Sequence, residues 1–152
     1  MKTRRAFTVL QTIAAFFMIG MLVSIIIFVV NPQRQLAETR NSKRVADAGT
    51  ILTAINEYVI DHNSAPAGMD DTLRVIGTAN VGCNLNCWTG VGTSSCLNLA
   101  PILTPKYLLD IPMDPILGTA ERTYFAVRKK ANDRIVVYSC GAELGENLTI
   151  TR

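Results

Sequence analysis

The stretch Arg5–Arg34, RAFTVLQTIAAFFMIGMLVSIIIFVVNPQR, decides how the rest of the chain is read. Between its terminal arginines lie 28 residues without a charge, and Val9–Val30 is broken only by Gln11, Thr12, Gly20 and Ser24. As a helix rising about 1.5 Å per residue, Val9–Val30 spans roughly 33 Å, which matches a hydrocarbon core of about 30 Å. In water such a helix leaves its outer side without cover. It belongs in a bilayer or in a bundle of its own copies. A secretory signal fits poorly: an h-region runs about 7–15 residues and ends at a small-x-small site, whereas this run is longer and ends in Phe28-Val29-Val30-Asn31-Pro32. No cysteine follows closely, so a lipoprotein box is absent as well. The segment is expected to stay on the mature chain.

Upstream stands a short basic leader, Met1-Lys2-Thr3-Arg4-Arg5, followed by Ala6-Phe7-Thr8-Val9-Leu10-Gln11. These residues resemble the class III signal of type IV pilins and type II secretion pseudopilins. In that family a prepilin peptidase cuts on the cytoplasmic side after a small residue, usually glycine. The new N-terminal residue, usually phenylalanine, is then methylated, and the hydrophobic helix is kept. By this resemblance the cleavage falls between Ala6 and Phe7, and Phe7 carries the N-methyl group. Two positions depart from the family pattern. Ala6 stands where glycine is preferred, and Gln11 stands where most members have a glutamate that neutralises the N-terminal amine of a neighbouring subunit. Glutamine can accept a hydrogen bond but brings no charge to a low-dielectric contact. Family members lacking that carboxylate are often minor subunits, so the resemblance implies a minor or tip position, with Phe7 and Gln11 at the assembly contact.

The 152 residues leave room for one small domain beside the helix. A net charge of +3 is no nucleic-acid signature, and removing Lys2, Arg4 and Arg5 leaves 12 basic against 12 acidic side chains. Phosphate-backbone contacts are therefore not a main source of affinity, and no specific nucleic-acid partner is expected. Lys2, Arg4 and Arg5 favour a cytoplasmic N-terminus, but Arg34, Arg40, Lys43 and Arg44 sit on the other flank. Orientation thus rests on the resemblance and on the cysteines.

Asn31-Pro32 is expected to end or kink the first helix, because proline lacks a backbone donor and clashes one turn back. A helical pattern then resumes through Leu36, Ala37, Val45, Ala48, Ile51, Leu52, Ile55, Tyr58 and Val59, giving one apolar face. Glu38–Arg44 is polar all round and reads as an exposed neck, with a lipid-binding patch over Arg34–Arg44 as the rival reading. Asp61-His62-Asn63-Ser64 before Ala65-Pro66 stops the helix. A kinked helix from Phe7 to about Asp61 would run roughly 80 Å. His62, the one histidine, reads as a capping or solvated residue at a helix end rather than a base or ligand.

Residues 63–104 are rich in Gly, Asn, Ser and Thr and read as an irregular loop holding Cys83, Cys87 and Cys96, while Cys140 falls in an expected strand. A four-thiolate zinc site needs two closely spaced pairs. Cys83 and Cys87 make one, but Cys96 and Cys140 make no second. A redox pair needs Cys-x-x-Cys opening a helix, which is missing. Structural disulfides need only an even count and an oxidising compartment, and a small domain gains from them. Disulfides are the expectation, and of the three pairings possible the sequence selects none.

The run Leu103-Thr104-Pro105-Lys106-Tyr107-Leu108-Leu109-Asp110-Ile111-Pro112-Met113-Asp114-Pro115 resembles the segment preceding the sheet in pseudopilin-like proteins. It reads as a brace: the prolines hold it extended and Asp114 favours a turn. Thr123–Lys129 and Arg134–Cys140 flank Lys130-Ala131-Asn132-Asp133, an antiparallel hairpin pattern. Gly141–Glu146 resembles the family's closing element and is expected to add a short edge. The apolar face of this sheet is expected to pack on Ala48, Ile51, Leu52, Ile55 and Val59. The tail offers Glu143 and Glu146 but no cluster of closely spaced Asp ligands, so the calcium site of major pseudopilins is not carried over. Phosphate loops, a nucleophile elbow and His-rich metal spacing are missing too, so neither a catalytic residue nor a metal or cofactor is expected.

The fold expected is α+β and pilin-like: a long N-terminal helix, half in membrane and half amphipathic, packed on a small antiparallel sheet. Its parts are a leader over 1–6, a transmembrane or filament-core helix over 7–30, an amphipathic continuation over 31–62, a cysteine-bearing αβ-loop region over 63–122, and a β-hairpin with a C-terminal edge over 123–152. The expected function is that of a structural subunit, not an enzyme, in a type IV pilus or type II secretion-like pseudopilus. Its partners would be prepilin peptidase, other pilin or pseudopilin subunits, an inner-membrane assembly platform, and membrane lipid before assembly. It would begin as a single-pass membrane protein with its N-terminus in the cytoplasm and end in an extracytoplasmic filament. The rival is an uncleaved single-span protein with a small extracytoplasmic ligand- or partner-binding domain.

Overall fold

The computed structural model describes residues 8–87 and 92–151, with the side chains of 28–30 excepted. Ala6 and Phe7, the expected cleavage and methylation positions, lie outside the described residues. The chain divides into two compact units, Met1–Leu36 and Ala37–Arg152.

The first unit carries α1, Val9–Val30. Val30 is its last residue because Asn31 takes a left-handed backbone (φ 40°) and Pro32 follows. Pro32 opens α2, Pro32–His62, at the position where a missing N–H costs nothing. Asn31 Oδ1 accepts a hydrogen bond from the Arg34 N–H at 3.3 Å, which satisfies a first-turn donor of α2. The helix ends at His62, with Asn63 in the left-handed region (φ 52°).

In the second unit, α2 packs on a five-stranded sheet in the order β2-β1-β3-β4-β5. The strands are β1 Arg74–Ile76, β2 Ser95–Leu97, β3 Phe125–Lys129, β4 Ile135–Ser139 and β5 Thr149–Thr151, with a one-turn helix α3 at Ala100–Leu103. The sheet is mixed rather than antiparallel, because β1 and β2 pair parallel with Val75 opposite Cys96. Parallel neighbours need a connection of about a dozen residues or more, and the chain over 77–94 supplies it. The expected edge at Gly141–Glu146 is a turn instead, and β5 forms the edge beside β4. Asp133 takes a left-handed backbone (φ 61°) in the turn between β3 and β4, where the Asn-Asp pair places it.

Both faces of the sheet are covered. Phe125 and Val127 of β3 and Ile135 and Val137 of β4 join Ala48, Ile51, Leu52 and Ile55 of α2 in one core, capped by Leu99 and Leu103 around α3. On the opposite face Ala126, Val136 and Tyr138 pack with Leu73 and Cys87. The period of two along β3 and β4 thus separates two cores. Val59, expected against the sheet, is half-buried at the margin of the first.

Candidate functional site

The described large apolar residues of α1 are exposed, with Leu10 at 77%, Phe17 at 76% and Ile26 at 60%. The helix is long and apolar enough to cross a membrane. Its polar residues are turned back on its own backbone. Gln11 Oε1 accepts from the Thr8 N–H at 3.1 Å, Thr12 Oγ1 donates to the Val9 carbonyl at 2.7 Å, and Ser24 Oγ donates to the Gly20 carbonyl at 2.7 Å. The Thr12 and Ser24 hydroxyls can thus enter an apolar surrounding with their donors met, while Gln11 is bonded through its oxygen alone. Gln11 therefore has a local task at the helix start, foreshadowed by Thr8-x-x-Gln11, the spacing of a capping box.

The second feature lies where a neck was expected. Asn41 and Arg44 of α2 are buried, and Arg40 is half-buried. Arg44 Nε donates to Asp114 Oδ2 at 2.6 Å, and its Nη1 donates to Glu143 Oε2 at 2.7 Å and to Asn41 Oδ1 at 2.9 Å. Arg40 holds the same carboxylate by two bonds, Nη2 to Oε1 at 2.6 Å and Nε to Oε2 at 2.7 Å. Asn41 completes the clamp: Nδ2 donates to the Glu143 carbonyl, and Oδ1 accepts from the Glu143 N–H. Neither the exposed neck expected over Glu38–Arg44 nor the rival lipid patch over Arg34–Arg44 holds along its whole length, since Arg40, Asn41 and Arg44 are committed to the folded head.

Asp114 does more than hold a turn. Its Oδ1 accepts from the backbone N–H groups of Ile116 and Leu117, both at 2.9 Å, while Oδ2 takes Arg44. Burial pushes the Asp114 carboxyl up, but Arg44 and those two N–H groups outweigh it and hold the group below its usual range. Arg40 first and Arg44 second bring Glu143 down to about 2. Gly141 lies so close to Asp114 that a Cβ there would meet the carboxylate.

The four cysteines form two disulfides, Cys83–Cys96 and Cys87–Cys140. The first ties the loop after β1 to β2. The second ties the loop covering the outer face of the sheet to the end of β4. With all four thiols bridged, neither a thiolate zinc site nor a dithiol pair remains in this state. Among the described residues, no group of three or more His, Cys, Asp or Glu side chains is placed to hold a metal ion.

His62 is occupied by the last turn of α2: Nδ1 lies 3.0 Å from the Tyr58 carbonyl, and the ring stacks on Tyr58 with centroids 4.1 Å apart. Beside it, Lys106 Nζ and Tyr107 Oη both donate to Asp61 Oδ2, at 2.7 and 2.8 Å. These bonds tie the brace to the helix end and keep the Asp61 carboxyl below its usual range, Lys106 contributing most.

Comparison of the chain with family models, with curated proteins and with solved structures finds no match to any of them.

Proposed function

We propose that the chain is a structural subunit, of the minor kind, in a filament like a type IV pilus or a type II secretion pseudopilus. The observation that carries the reading is α1: an apolar helix whose described large side chains are exposed, with the Thr12 and Ser24 hydroxyls bonded to its own backbone. Such a surface is at home first in lipid and then against copies of itself. A mixed α+β head, stapled by two disulfides and clamped to α2, supports the reading, because it gives each subunit a rigid outer part suited to an oxidising compartment. Assembly would bury apolar helix against apolar helix, with Phe7 and Gln11 at the contact nearest the N-terminus. The absence of a carboxylate at Gln11 supports the minor role. The test is to shear and pellet filaments from cells with and without an active prepilin peptidase. The chain is expected in the pelleted fraction only when the peptidase is active; its retention in the membrane fraction in both cases would overturn the proposal.

A further inference from the structure

The hairpin of β3 and β4 carries a cation that has no carboxylate partner among the described residues. Arg128 pairs with Val136 across the hairpin and so shares the outer face of the sheet with Ala126 and Tyr138. Its Nη2 donates to Tyr138 Oη at 2.8 Å, and its guanidinium carbon stands 5.4 Å from the centre of the Tyr138 ring. Its Nε is withdrawn from solvent and meets no acceptor among the described residues. A half-buried guanidinium held in this way gives up water without recovering an ion pair.

Arg128, Lys130, Ala131, Asn132 and Asp71 together line one open depression of about 410 Å³, a size common among small-molecule sites. Ala131 is too short to fill it. The charged groups next to these residues are engaged elsewhere or stand outside. Lys129 pairs with Asp133 and Asp70 with Arg74, both at 2.8 Å, while Arg134 is exposed and does not line the depression. Within it, two cations stand against the single carboxylate of Asp71, which is exposed and forms no ion pair among the described residues. The site therefore keeps one unit of positive charge. Asn132 Oδ1 accepts from the Arg134 N–H at 3.4 Å, which leaves its Nδ2 as a donor.

This set of groups selects its ligand by charge and by hydrogen bonding. One net positive charge suits a monoanion, whereas the second charge of a phosphate dianion would meet Asp71. Arg128 and Lys130 offer charge-assisted donors to a carboxylate. Asp71 accepts but cannot donate, so it repels a bare carboxylate and welcomes a hydroxyl beside one. We infer that the depression binds a sugar acid, with the carboxylate on Arg128 and Lys130 and the hydroxyls on Asp71 and Asn132. The site stands apart from the filament proposal, because all of its residues belong to the head and none takes part in assembly through α1.

The test titrates the full chain in detergent micelles with galacturonate and follows its amide NMR signals. Saturable shifts at residues 128–132 and at Asp71 are expected, with a Kd of about 1 mM or below. Glucose, acetate and inorganic phosphate should each bind about tenfold more weakly or worse. Lys130→Gln, at an exposed position, should weaken galacturonate about tenfold, as should Arg128→Gln. Arg134→Gln, equally basic but outside the depression, should leave it unchanged. An unreduced intact mass showing both disulfides, with amide signals outside the hairpin unmoved, checks that the variant heads fold. Tighter binding of digalacturonate would assign the ligand to a glycan and equal binding to the free sugar, and either result upholds the site. Absence of saturable shifts at these residues, acetate or phosphate binding as tightly as galacturonate, or undiminished binding by Lys130→Gln would overturn it.

Discussion

Arg44 Nε lies 2.6 Å from Asp114 Oδ2, and both side chains are fully withdrawn from solvent. The pair joins α2 to the turn before β3 across 70 residues of sequence. A charge left behind when its buried partner is removed has no water to turn to. Asp114→Ala should therefore destabilise the head by about 3–5 kcal/mol, whereas replacing both partners with apolar residues of similar volume should cost far less. Urea unfolding of the single and double variants measures the difference; equal losses would show that the ionic contact is not what matters there.

Acid should act on the same cluster. Glu143 is held at about 2 against a usual 4.5, and Asp114 is also held low, so the folded head binds these protons less readily than the unfolded chain. Their contribution is fully present above about pH 4.5 and is lost as pH falls from there towards 2. Thermal melts across that window should show a falling midpoint. Glu143→Gln should begin lower at neutral pH and fall less steeply.

The two disulfides should differ in worth. Cys87–Cys140 closes a separation of 53 residues and Cys83–Cys96 one of 13. On the chain-entropy account these contribute about 4 and about 3 kcal/mol respectively. Paired Cys→Ser replacement should thus leave the Cys87/Cys140 variant the less stable by about 1 kcal/mol from loop length alone, and by more where it also frees the cover over Ala126, Val136 and Tyr138. Denaturant midpoints of the two double variants make the comparison.

Gln11→Glu should raise filament yield. A glutamate three residues after Thr8 keeps the local bond that Gln11 Oε1 makes to the Thr8 N–H. It also adds a carboxylate for the amine of a neighbouring subunit. Yield measured by shearing and pelleting should rise; unchanged or lower yield would argue that this position has no charge-pairing role.

What could be read in advance followed physical periodicity. The spacing of Ala48, Ile51, Leu52 and Ile55 marked the buried face of α2, and alternation in Phe125–Lys129 and Ile135–Ser139 marked the hairpin. Strands β1 and β2 escaped notice because three residues are too few for alternation to register among Gly, Asn and Ser. Their parallel pairing is a long-range event with no local trace. The clamp escaped for another reason. Arg40, Asn41 and Arg44 have the composition of a solvated helix face, and their partners lie 70 to 105 residues away. Only the folded chain shows that the polar stretch is bonded to the head, beside the apolar contact of Ala48, Ile51, Leu52 and Ile55. The disulfide pairing was equally hidden, because four cysteines are compatible with every connectivity until the fold places Cys140 beside Cys87 and Cys96 beside Cys83.

The central claim is that α1 is a processed and retained assembly helix bearing an oxidised head. It is tested most directly by the unreduced intact mass of the full chain after co-expression with an active prepilin peptidase. The account predicts a chain beginning at Phe7, heavier by one methyl group and lighter by the four hydrogens of two disulfides. A chain still beginning at Met1, beside a peptidase that cleaves its own substrate in the same cells, would contradict it and leave a membrane-anchored binding domain in its place.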